Sequence, residues 1–361
     1  MSKIVIKVGS NLLVDSSGNI NKKYVIELAG KISELYSQSN QVVLVSSGAK
    51  ASGYAYLKYQ LNQDSDLYLK QALCAVGQVQ LMKLYESAFD FFNLKIAQLL
   101  LTRDVFSNRK RFLNLRNTLI GLIEMGIIPI VNENDTVATD EIMFGDNDIL
   151  ASMFAIGWNA DFLILLTSID GVIDETGSVV KIFDEKVKLQ NLEKSNWGSG
   201  GIETKIEAAK KASKAGIKTC ICNGKKLENI MEFVKNGIPY SGTVFKPKNS
   251  KHLKARKTWI GMLSNVKGKV YINSGAEQAI KNGKSLLPVG VIKIEGDFKT
   301  GDIVEILGQN DNIIGRGIIN LDSSKAQKIL GLKTEELKKI LGEEMSKVFI
   351  HRDNMWLEEF D

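Results

Sequence analysis

Apolar and polar positions along the first part of the chain follow two alternating spacings. Short apolar runs predict buried strands, and longer segments with apolar residues three or four positions apart predict amphipathic helices. The predicted strands are Ile4–Val8, Gln41–Ser46, Leu94–Leu99, Ile127–Val131, Phe162–Leu166 and Lys218–Cys222. The predicted helices lie near Asn21–Ser37, Tyr68–Phe92, Lys110–Glu124 and Glu203–Ala215. Strands that alternate with helices are typical of βαβ units, so the pattern predicts an α/β fold with a mostly parallel sheet sandwiched by helices.

The pattern changes after residue 245. A basic stretch is followed by short predicted strands between glycines, at Lys269–Ile272, Gly290–Ile294, Asp302–Ile306 and Gly315–Ile319. Many short strands of this kind favour a small β-rich domain. We therefore expect an α/β domain at 1–245, a basic linker at 246–265, and a β-rich domain with a C-terminal tail at 266–361. The segment Val179–Leu189 is expected to form a hairpin or a loop excursion outside the main sheet.

Two polar clusters lie beside apolar elements of the α/β part. Asn132-Glu133-Asn134-Asp135 follows a predicted strand, and Gly145-Asp146-Asn147-Asp148 precedes an apolar helical stretch. The ends of parallel strands are where α/β enzymes bind ligands, and carboxylates and carboxamides there can hold an amino group, a carboxylate or a lysine. The clusters therefore predict a polar small-molecule site. Simple capping of the loops is the structural alternative.

Glycine-containing loops supply candidate anion sites. Lys7-Val8-Gly9-Ser10 leaves the first strand and Ser46-Ser47-Gly48-Ala49 ends the second, so backbone N–H groups and a lysine can surround a phosphate or a carboxylate. For the first loop an ordinary turn is the alternative. A third loop, Gly198-Ser199-Gly200-Gly201, precedes Lys205, which is predicted in the first turn of a helix. A cation there opposes the helix dipole, so a bound polyphosphate explains Lys205 better than helix stability does.

Lysines on such loops, combined with carboxylates and amides, favour phosphoryl transfer, in which catalysis is mainly positioning and charge neutralisation. The two histidines, His252 and His351, are far apart, so a zinc site or a Ser/His/Asp triad has little support. A carboxylate acceptor is ionised at neutral pH and needs no general base. A P-loop NTPase is not expected, because Gln278 stands where the motif ending in Gly283-Lys284-Ser285 requires a glycine.

Composition sets broader limits. Hydrophobic residues make up 44% and charged residues 24%, as in ordinary globular proteins, and no apolar run is long enough to cross a bilayer. The first residues enter a strand pattern directly, without a secretory signal, so a cytoplasmic location is expected. The three cysteines are too few and too scattered for a disulfide framework. The net charge of +6 matches one segment without acids, which favours a solvated linker over a nucleic-acid surface and contains Lys246, Lys248, Lys251, Lys254, Arg256 and Lys257.

Several motifs occur in the order found in a known family. They are Lys7–Ser10, Val45–Ala49, Gln71–Gln78, Leu100–Arg103, Asn132–Thr139, Gly145–Asp148, Gly198–Lys205, Ser285–Pro288 and His351–Asp353. Together they closely resemble the bacterial glutamate 5-kinase family over nearly the whole chain. The resemblance implies an amino-acid-kinase fold followed by a PUA domain. It also implies transfer of a phosphoryl group from ATP to the side-chain carboxylate of L-glutamate, which gives L-glutamyl 5-phosphate in the first step of proline biosynthesis.

The resemblance implies roles for single residues as well. Lys7 and Lys205 would stabilise the transferring phosphoryl group, and Asp148 would hold the two ammonium groups. Glutamate would contact Ser47, Asp135 and Asn147, with Asn132, Asn134 and Asp146 nearby. ATP would contact Lys7, Thr167, Ser168, Ser199, Gly200, Gly201, Ile202, Glu203, Thr204 and Lys205. Mg²⁺ would bridge the phosphates without an assigned protein ligand. Ser168 and Ile173 depart from the family pattern, which commonly has an aspartate and a tyrosine there, and these departures concern the base and ribose contacts.

The resemblance further implies feedback inhibition by proline at or overlapping the glutamate site, and a homo-oligomer built through the kinase domains. No membrane partner is expected, because no apolar run is long enough to span a bilayer. The nearest rival is another amino-acid or carbamate kinase, such as aspartokinase or acetylglutamate kinase, and the run Asn132–Thr139 argues against it. RNA binding is the rival from a different class, because PUA domains elsewhere bind RNA. Against it, residues 267–345 contain few aromatic side chains for stacking on bases.

Overall fold

A computed structural model describes residues 1–15, 18–58, 66–138, 147–187, 189, 201–247, 255–332 and 348–358. The chain divides into two compact units. The first comprises Met1–Val105 and Lys110–His252, and the second comprises Phe106–Arg109 and Leu253–Asp361. No helix within these described ranges has both the length and the apolar character that a membrane-spanning segment needs.

The first unit is built on a seven-stranded sheet. Its strands are β1 (Lys3–Val8), β2 (Gln41–Ser46), β3 (Lys95–Leu101), β4 (Ile127–Glu133), β5 (Phe162–Thr167), β6 (Lys218–Asn223) and β7 (Gly242–Phe245). Their order across the sheet is β3-β4-β2-β1-β5-β6-β7, and every neighbouring pair is parallel except β6 and β7. The predicted mostly parallel α/β sheet is therefore confirmed, and the antiparallel β7 was not predicted.

Helices connect these strands. They are α1 (Ser10–Leu13), α2 (Lys22–Ser37), α3 (Ala49–Leu57), α4 (Leu67–Asp90), α5 (Asp104–Ser107), α6 (Arg109–Glu124), α7 (Asn147–Trp158), α8 (Ile202–Lys214) and α9 (Glu228–Asn236). The start of α2 is fixed by Asn21, whose side chain accepts a hydrogen bond from the backbone N–H of Tyr24. Its residues Leu28 and Ile32 are fully buried in a core that also contains Ile4 and Ile6 of β1. The four predicted helices of this region are confirmed.

The two faces of β1 pack against different elements, because successive side chains of a strand point to opposite faces. Ile4, Ile6 and Val8 belong to the core that contains the buried side of α2. Lys7, between two of them, points to the other face and meets α7. The alternation of β1 therefore directs a lysine into the interior beneath the carboxyl ends of the strands.

Helices α3 and α4 cross at glycines. A Cβ atom added to Gly77 would lie 1.7 Å from the carbonyl oxygen of Ala49, and one added to Gly53 would lie 2.3 Å from the carbonyl oxygen of Leu73. Neither position has room for a side chain. The two helices therefore pack backbone to backbone, immediately after the loop that ends β2.

Two expectations for the first unit need correction. The strand predicted to end at Val131 continues through Asn132 and Glu133, which are buried in β4, because the Asn132 amide is hydrogen-bonded on both sides. The Val179–Leu189 segment is mainly a loop, as expected, but it also touches the sheet. An isolated parallel bridge joins Ile182 to Val244 of β7.

The second unit contains a five-stranded sheet in the order β12-β11-β10-β8-β9. These strands are β8 (Val266–Ile272), β9 (Val291–Glu295), β10 (Ile303–Leu307), β11 (Ile313–Ile319) and β12 (Ile350–Leu357). Its helical elements are α10 (Ala255–Thr258), a π-helical turn at Trp259–Leu263, α11 (Ser274–Lys281), a 3₁₀ turn at Pro288–Gly290 and α12 (Ser323–Lys328). A separate apolar core includes Val270, Ile306 and Phe349, so the predicted β-rich domain is confirmed.

The second half of the predicted basic linker is helical in the structure and was not expected to be. Residues from Ala255 to Leu263 are helical, and Trp259, Ile260 and Leu263 are buried. The Trp259 indole N–H donates a hydrogen bond to the backbone of Phe106 within the same unit. The apolar Trp-Ile-Gly-Met-Leu sequence explains this packing, since these side chains gain free energy by leaving water.

Candidate active site

The candidate site lies at the carboxyl ends of the central parallel strands. Val8 of β1 pairs with Ser46 at the end of β2 on one side and with Leu166 near the end of β5 on the other. The loops that follow these strands therefore start side by side. In open parallel sheets this edge is where ligands bind.

A carboxylate joins two buried lysines at this edge. The Asp148 oxygens lie 2.7 Å from the Lys7 Nζ and 2.9 Å from the Lys205 Nζ. The exposed fractions are 0% for Asp148, 4% for Lys7 and 8% for Lys205. The structure thus brings together residues that are far apart in sequence and that were assigned to the catalytic group by resemblance.

Asp148 and Lys205 each lie in the first turn of a helix. Asp148 is the second residue of α7, where the helix dipole favours an anion. Lys205 is in the first turn of α8, where the dipole opposes a cation, as the sequence predicts. Two ammonium groups and one carboxylate leave one net positive charge in a buried place. Within these three residues the positive charge exceeds the negative, and such an arrangement favours an anionic ligand.

An amide chain lies beside the lysine cluster. Asn132 of β4 donates through its Nδ2 to the Gln78 Oε1 at 2.8 Å, and its Oδ1 accepts from the Asn147 Nδ2 at 2.9 Å. The same Asn147 nitrogen also lies within hydrogen-bonding distance of the Ser46 carbonyl at 3.0 Å and the Ser47 hydroxyl at 3.2 Å. Residues of β2, β4 and α7 therefore meet at the Asn147 side chain.

The hydrogen bonds fix which way the Asn147 amide points. The Asn132 Oδ1 must be an acceptor, because the backbone N–H of Glu133 donates to it. The Ser46 carbonyl is also an acceptor, so the group of Asn147 that faces both is the NH₂ group. The remaining Asn147 Oδ1 is buried and has no hydrogen-bond partner among the described residues. It is an available acceptor for a positively charged ligand group.

A hydrogen bond from Tyr85 of α4 holds the start of the Ser46–Gly48 loop. The Ser46 hydroxyl donates to the Ser47 carbonyl, so the Tyr85 hydroxyl is the donor in its 2.8 Å contact with Ser46. Full burial raises the pKa of Tyr85 and keeps this hydroxyl protonated. Gly48 has a φ of 98°, a left-handed conformation that favours glycine, and α3 starts directly after it.

Asp135 lies beside a cavity next to the amide chain. The cavity has a volume of about 550 Å³ and is lined by Asp135, Asn134, Gln78, Cys74 and neighbouring residues of α4 and β3. Burial, followed by the nearby Asp135 carboxylate, raises the pKa of the Cys74 thiol, which therefore stays protonated. Asn134 accepts from the Thr136 hydroxyl at 2.6 Å.

The residues predicted to bind ATP follow β5 and open α8. Thr167 is buried at the end of β5, next to the half-buried Ser168. Gly201 is the N-cap of α8, and its carbonyl accepts from the Thr204 hydroxyl at 2.9 Å. Ile202 is half-buried and Glu203 is exposed. Three predicted residues, Asp146, Ser199 and Gly200, lie outside the described residues.

Several residues of this edge were not assigned from the sequence. Gln78 and Tyr85 on α4 hydrogen-bond to residues at the carboxyl ends of β4 and β2, and Asp170, after β5, accepts hydrogen bonds from Asn223 of β6 and from Ser241 just before β7. Gln78 lies within a motif that carried the family resemblance, which was a usable signal. Tyr85 carried no such signal, because a tyrosine in an apolar helix is ordinarily a core residue.

Comparison with known proteins decides the family. The amino acid kinase family model matches residues 2–223, and the PUA domain model matches residues 268–341. The glutamate 5-kinase of Kosmotoga olearia is 61% identical over 99% of both chains. The chain belongs to the amino acid kinase family, among the glutamate 5-kinases.

Other members and folds extend this comparison. The glutamate 5-kinase of Thermotoga maritima is 58% identical, covering 98% of this chain and 99% of its own. Among solved structures, a carbamate kinase from Giardia aligns with 68% of this chain and 99% of its own, at 15% identity and a TM-score of 0.49. Family membership accounts for the order of the motifs along the chain, since the glutamate 5-kinase relatives align over nearly its whole length.

Proposed function

We propose that the chain transfers the γ-phosphoryl group of ATP to the side-chain carboxylate of L-glutamate, which forms L-glutamyl 5-phosphate and ADP in the first step of proline biosynthesis. The observation that carries this proposal is the buried cluster of Lys7, Asp148 and Lys205 beside the amide chain. One side of the site supplies positive charge for a phosphoryl group, and the other supplies polar groups for an amino acid. The glutamate 5-kinase relatives support the choice of substrate.

The reaction requires little covalent chemistry from the protein. A carboxylate oxygen of glutamate attacks the γ-phosphorus, a new P–O bond forms, and the bond to the β,γ-bridging oxygen breaks as ADP leaves. The attacking carboxylate is already ionised at neutral pH, so no proton has to be removed. Lys7 and Lys205 stabilise the negative charge on the transferring group, which is where such enzymes gain most of their rate.

Asp148 acts on the lysines in this proposal. Both of its oxygens are used, one for each ammonium group. It therefore sets the positions of two cations that would otherwise repel each other in a buried place. The lysines stay correctly placed before the nucleotide arrives, and preorganised charge is the effective kind in catalysis.

The amino-acid end of glutamate is proposed to bind at the amide chain. The Asn147 Oδ1 is buried and is the acceptor best placed to receive the α-ammonium group. Asp135 supplies a nearby carboxylate for the same group. The Ser47 hydroxyl contacts Asn147 at 3.2 Å and would complete the polar wall.

Mg²⁺ is proposed as the metal that accompanies ATP. Among the described residues, no group of three or more His, Cys, Asp and Glu side chains could hold a metal ion. The two Asp148 oxygens already bind lysines, so the fitting arrangement is an ion held by phosphate oxygens and water. When bound, Mg²⁺ supplies charge neutralisation on the phosphates.

The remaining proposals rest on the family resemblance. Proline is proposed to inhibit by occupying the glutamate site or overlapping it, and the kinase units are proposed to form a homo-oligomer. We propose domain limits of 1–245 for the kinase domain and 266–361 for the PUA domain with its C-terminal tail. The helical residues 255–263, predicted as linker, belong to the same compact unit as the PUA domain. A cytoplasmic location is proposed on the ground that ATP is supplied there.

The test uses hydroxylamine, which converts an acyl phosphate into a hydroxamate. Purified full-length protein with ATP, Mg²⁺, hydroxylamine and L-glutamate is expected to yield the glutamyl hydroxamate. Reactions with L-aspartate or N-acetyl-L-glutamate in place of glutamate are expected to give little product. Equal or greater product from either of these acids would contradict the substrate, and a lack of product with all three would contradict the kinase proposal.

A further inference from the structure

Asp170 is the residue of this edge whose surroundings the proposed reaction leaves unexplained. It follows β5 by three positions, and its Oδ1 accepts from the Ser241 hydroxyl at 2.6 Å, the Asn223 Nδ2 at 2.8 Å and the Lys226 Nζ at 3.3 Å. All three donors approach the same oxygen. Within the described part of the chain, the Oδ2 makes no hydrogen bond, and about half of the side chain is exposed.

The Asp170 carboxylate is ionised at neutral pH. Hydrogen bonds from Ser241, Asn223 and Lys226, in that order of effect, lower the pKa of Asp170 to about 2. Because Oδ1 is saturated, the side chain cannot turn without losing three contacts. The result is a fixed, ionised acceptor whose second oxygen receives no hydrogen bond from the described residues.

Its position fits the nucleoside end of ATP. The γ-phosphoryl group must lie at Lys7 on β1, and glutamate lies on the β2 and β4 side, where Ser47 and Asn147 are found. The rest of the nucleotide must therefore extend the other way, over β5 and β6. Asn223 ends β6, two strands from β1, which is about 10 Å at the usual strand spacing. The diphosphate of an extended ATP separates its γ-phosphorus from its ribose by a similar distance.

We propose that Asp170 is a nucleoside-binding residue, whose Oδ2 accepts a hydrogen bond from a ribose hydroxyl of ATP. At position 168 the family commonly has an aspartate, whereas this chain has Ser168. Asp170, two positions later, is an acidic side chain that can serve as the acceptor instead. An acidic side chain near the end of a parallel strand is a suitable acceptor for ribose hydroxyls. The inference deepens the proposed kinase function and rests on it for the placement of the phosphates.

The experiment measures binding rather than turnover. Full-length protein is titrated calorimetrically with ADP, 2′-deoxy-ADP and 3′-deoxy-ADP, with Mg²⁺ and without glutamate. The parent is expected to bind ADP about tenfold more tightly than at least one deoxy analogue, as a charged hydrogen bond predicts. In Asp170→Asn this ratio should fall severalfold, and in Asp170→Ala it should fall to about one.

Two control variants separate ribose binding from loop structure. Ser241→Ala removes a donor to Oδ1 and leaves Oδ2, and Asp174→Asn changes a carboxylate of the same loop that accepts from Thr176 and Ser178. Both are expected to retain the parental ratio. A merely structural role of Asp170 would weaken ADP and the deoxy analogues equally.

The outcomes distinguish this inference from the proposed function. Equal affinity of the parent for all three nucleotides, or an unchanged ratio in folded Asp170 variants, would overturn the ribose contact and leave the kinase proposal intact. Ribose discrimination by a parent that forms no hydroxamate would support the contact and contradict glutamate phosphorylation. No binding of ADP at all would overturn both.

Discussion

The change Asp148→Asn tests whether the carboxylate is what holds the two lysines together. The amide has nearly the same shape but no charge, and only one of its two ends can accept a hydrogen bond. Its NH₂ group must therefore face an ammonium group, donor against donor. Because Asp148 is fully buried and contacts Lys7 and Lys205 within 2.9 Å, solvent cannot compensate for the loss.

The magnitude follows from the burial. Removing one partner from a buried ion pair typically costs about 3 to 5 kcal/mol of unfolding free energy. For a unit of this size, this corresponds to a fall in melting temperature of roughly 6 to 20 °C. Turnover should fall on the order of a hundredfold or more, because both cations that serve the transferring phosphoryl group lose their positions.

The assay combines thermal unfolding followed by circular dichroism with hydroxamate formation. MgATP should raise the melting temperature of Asp148→Asn by more than that of the parent, because the phosphates replace the lost negative charge. Glu27→Gln is the matched control. It removes an exposed carboxylate 3.8 Å from Lys23, and it should change stability by less than about 1 kcal/mol. If Asp148→Asn melts within about 2 °C of the parent and keeps normal turnover, the reasoning is refuted.

Three further changes test other parts of the site. Lys7→Ala and Lys205→Ala should each lower kcat on the order of a hundredfold or more, with a smaller loss of melting temperature than in Asp148→Asn, and near-normal turnover would remove that lysine from the mechanism. Asn147→Ala should raise the KM for glutamate about tenfold or more and leave the KM for ATP nearly unchanged, since it removes a buried acceptor for the ammonium group; an equal rise in both would argue for a structural role. Gly77→Ala should destabilise the protein by about 1 to 3 kcal/mol, whereas Gly121→Ala, in a helix with open space around it, should stabilise it by about 0.5 to 1 kcal/mol. Denaturant unfolding measures both changes in unfolding free energy, and changes of the same sign would contradict the packing described for α3 and α4.

Periodicity predicted the regular elements well where burial dictates the pattern. The strand expected at Gln41–Ser46 has these bounds in the structure, and α2 starts one residue after its predicted position. Periodicity did not predict α3, whose small residues give no clear apolar face, or the four-residue strand β7. The end of β4 was misplaced because Asn132 and Glu133 look like loop residues in sequence and are buried in the structure.

The candidate site was predictable only in part. Lys205 in the first turn of a helix was an informative anomaly, since the helix dipole alone does not explain it. The contact of Asp148 with Lys7 and Lys205 was supplied by resemblance, because no spacing rule joins residues that are far apart in sequence. The acceptor role of the Asn147 Oδ1 follows from the hydrogen bonds that join Asn132 to Glu133 and Asn147 to Asn132 and Ser46, whose directions only the structure reveals.

The backbone contact between α3 and α4 has a mechanical consequence for the amino-acid side of the site. The glycines Gly53 and Gly77 leave no side chain that could change rotamer and absorb a displacement of one helix against the other. The loop carrying Ser47 enters α3, and Gln78 is on α4, next to the contact. Packing of this kind couples the two helices, so we expect a ligand that displaces Gln78 in the 550 Å³ cavity to displace the Ser47 loop as well.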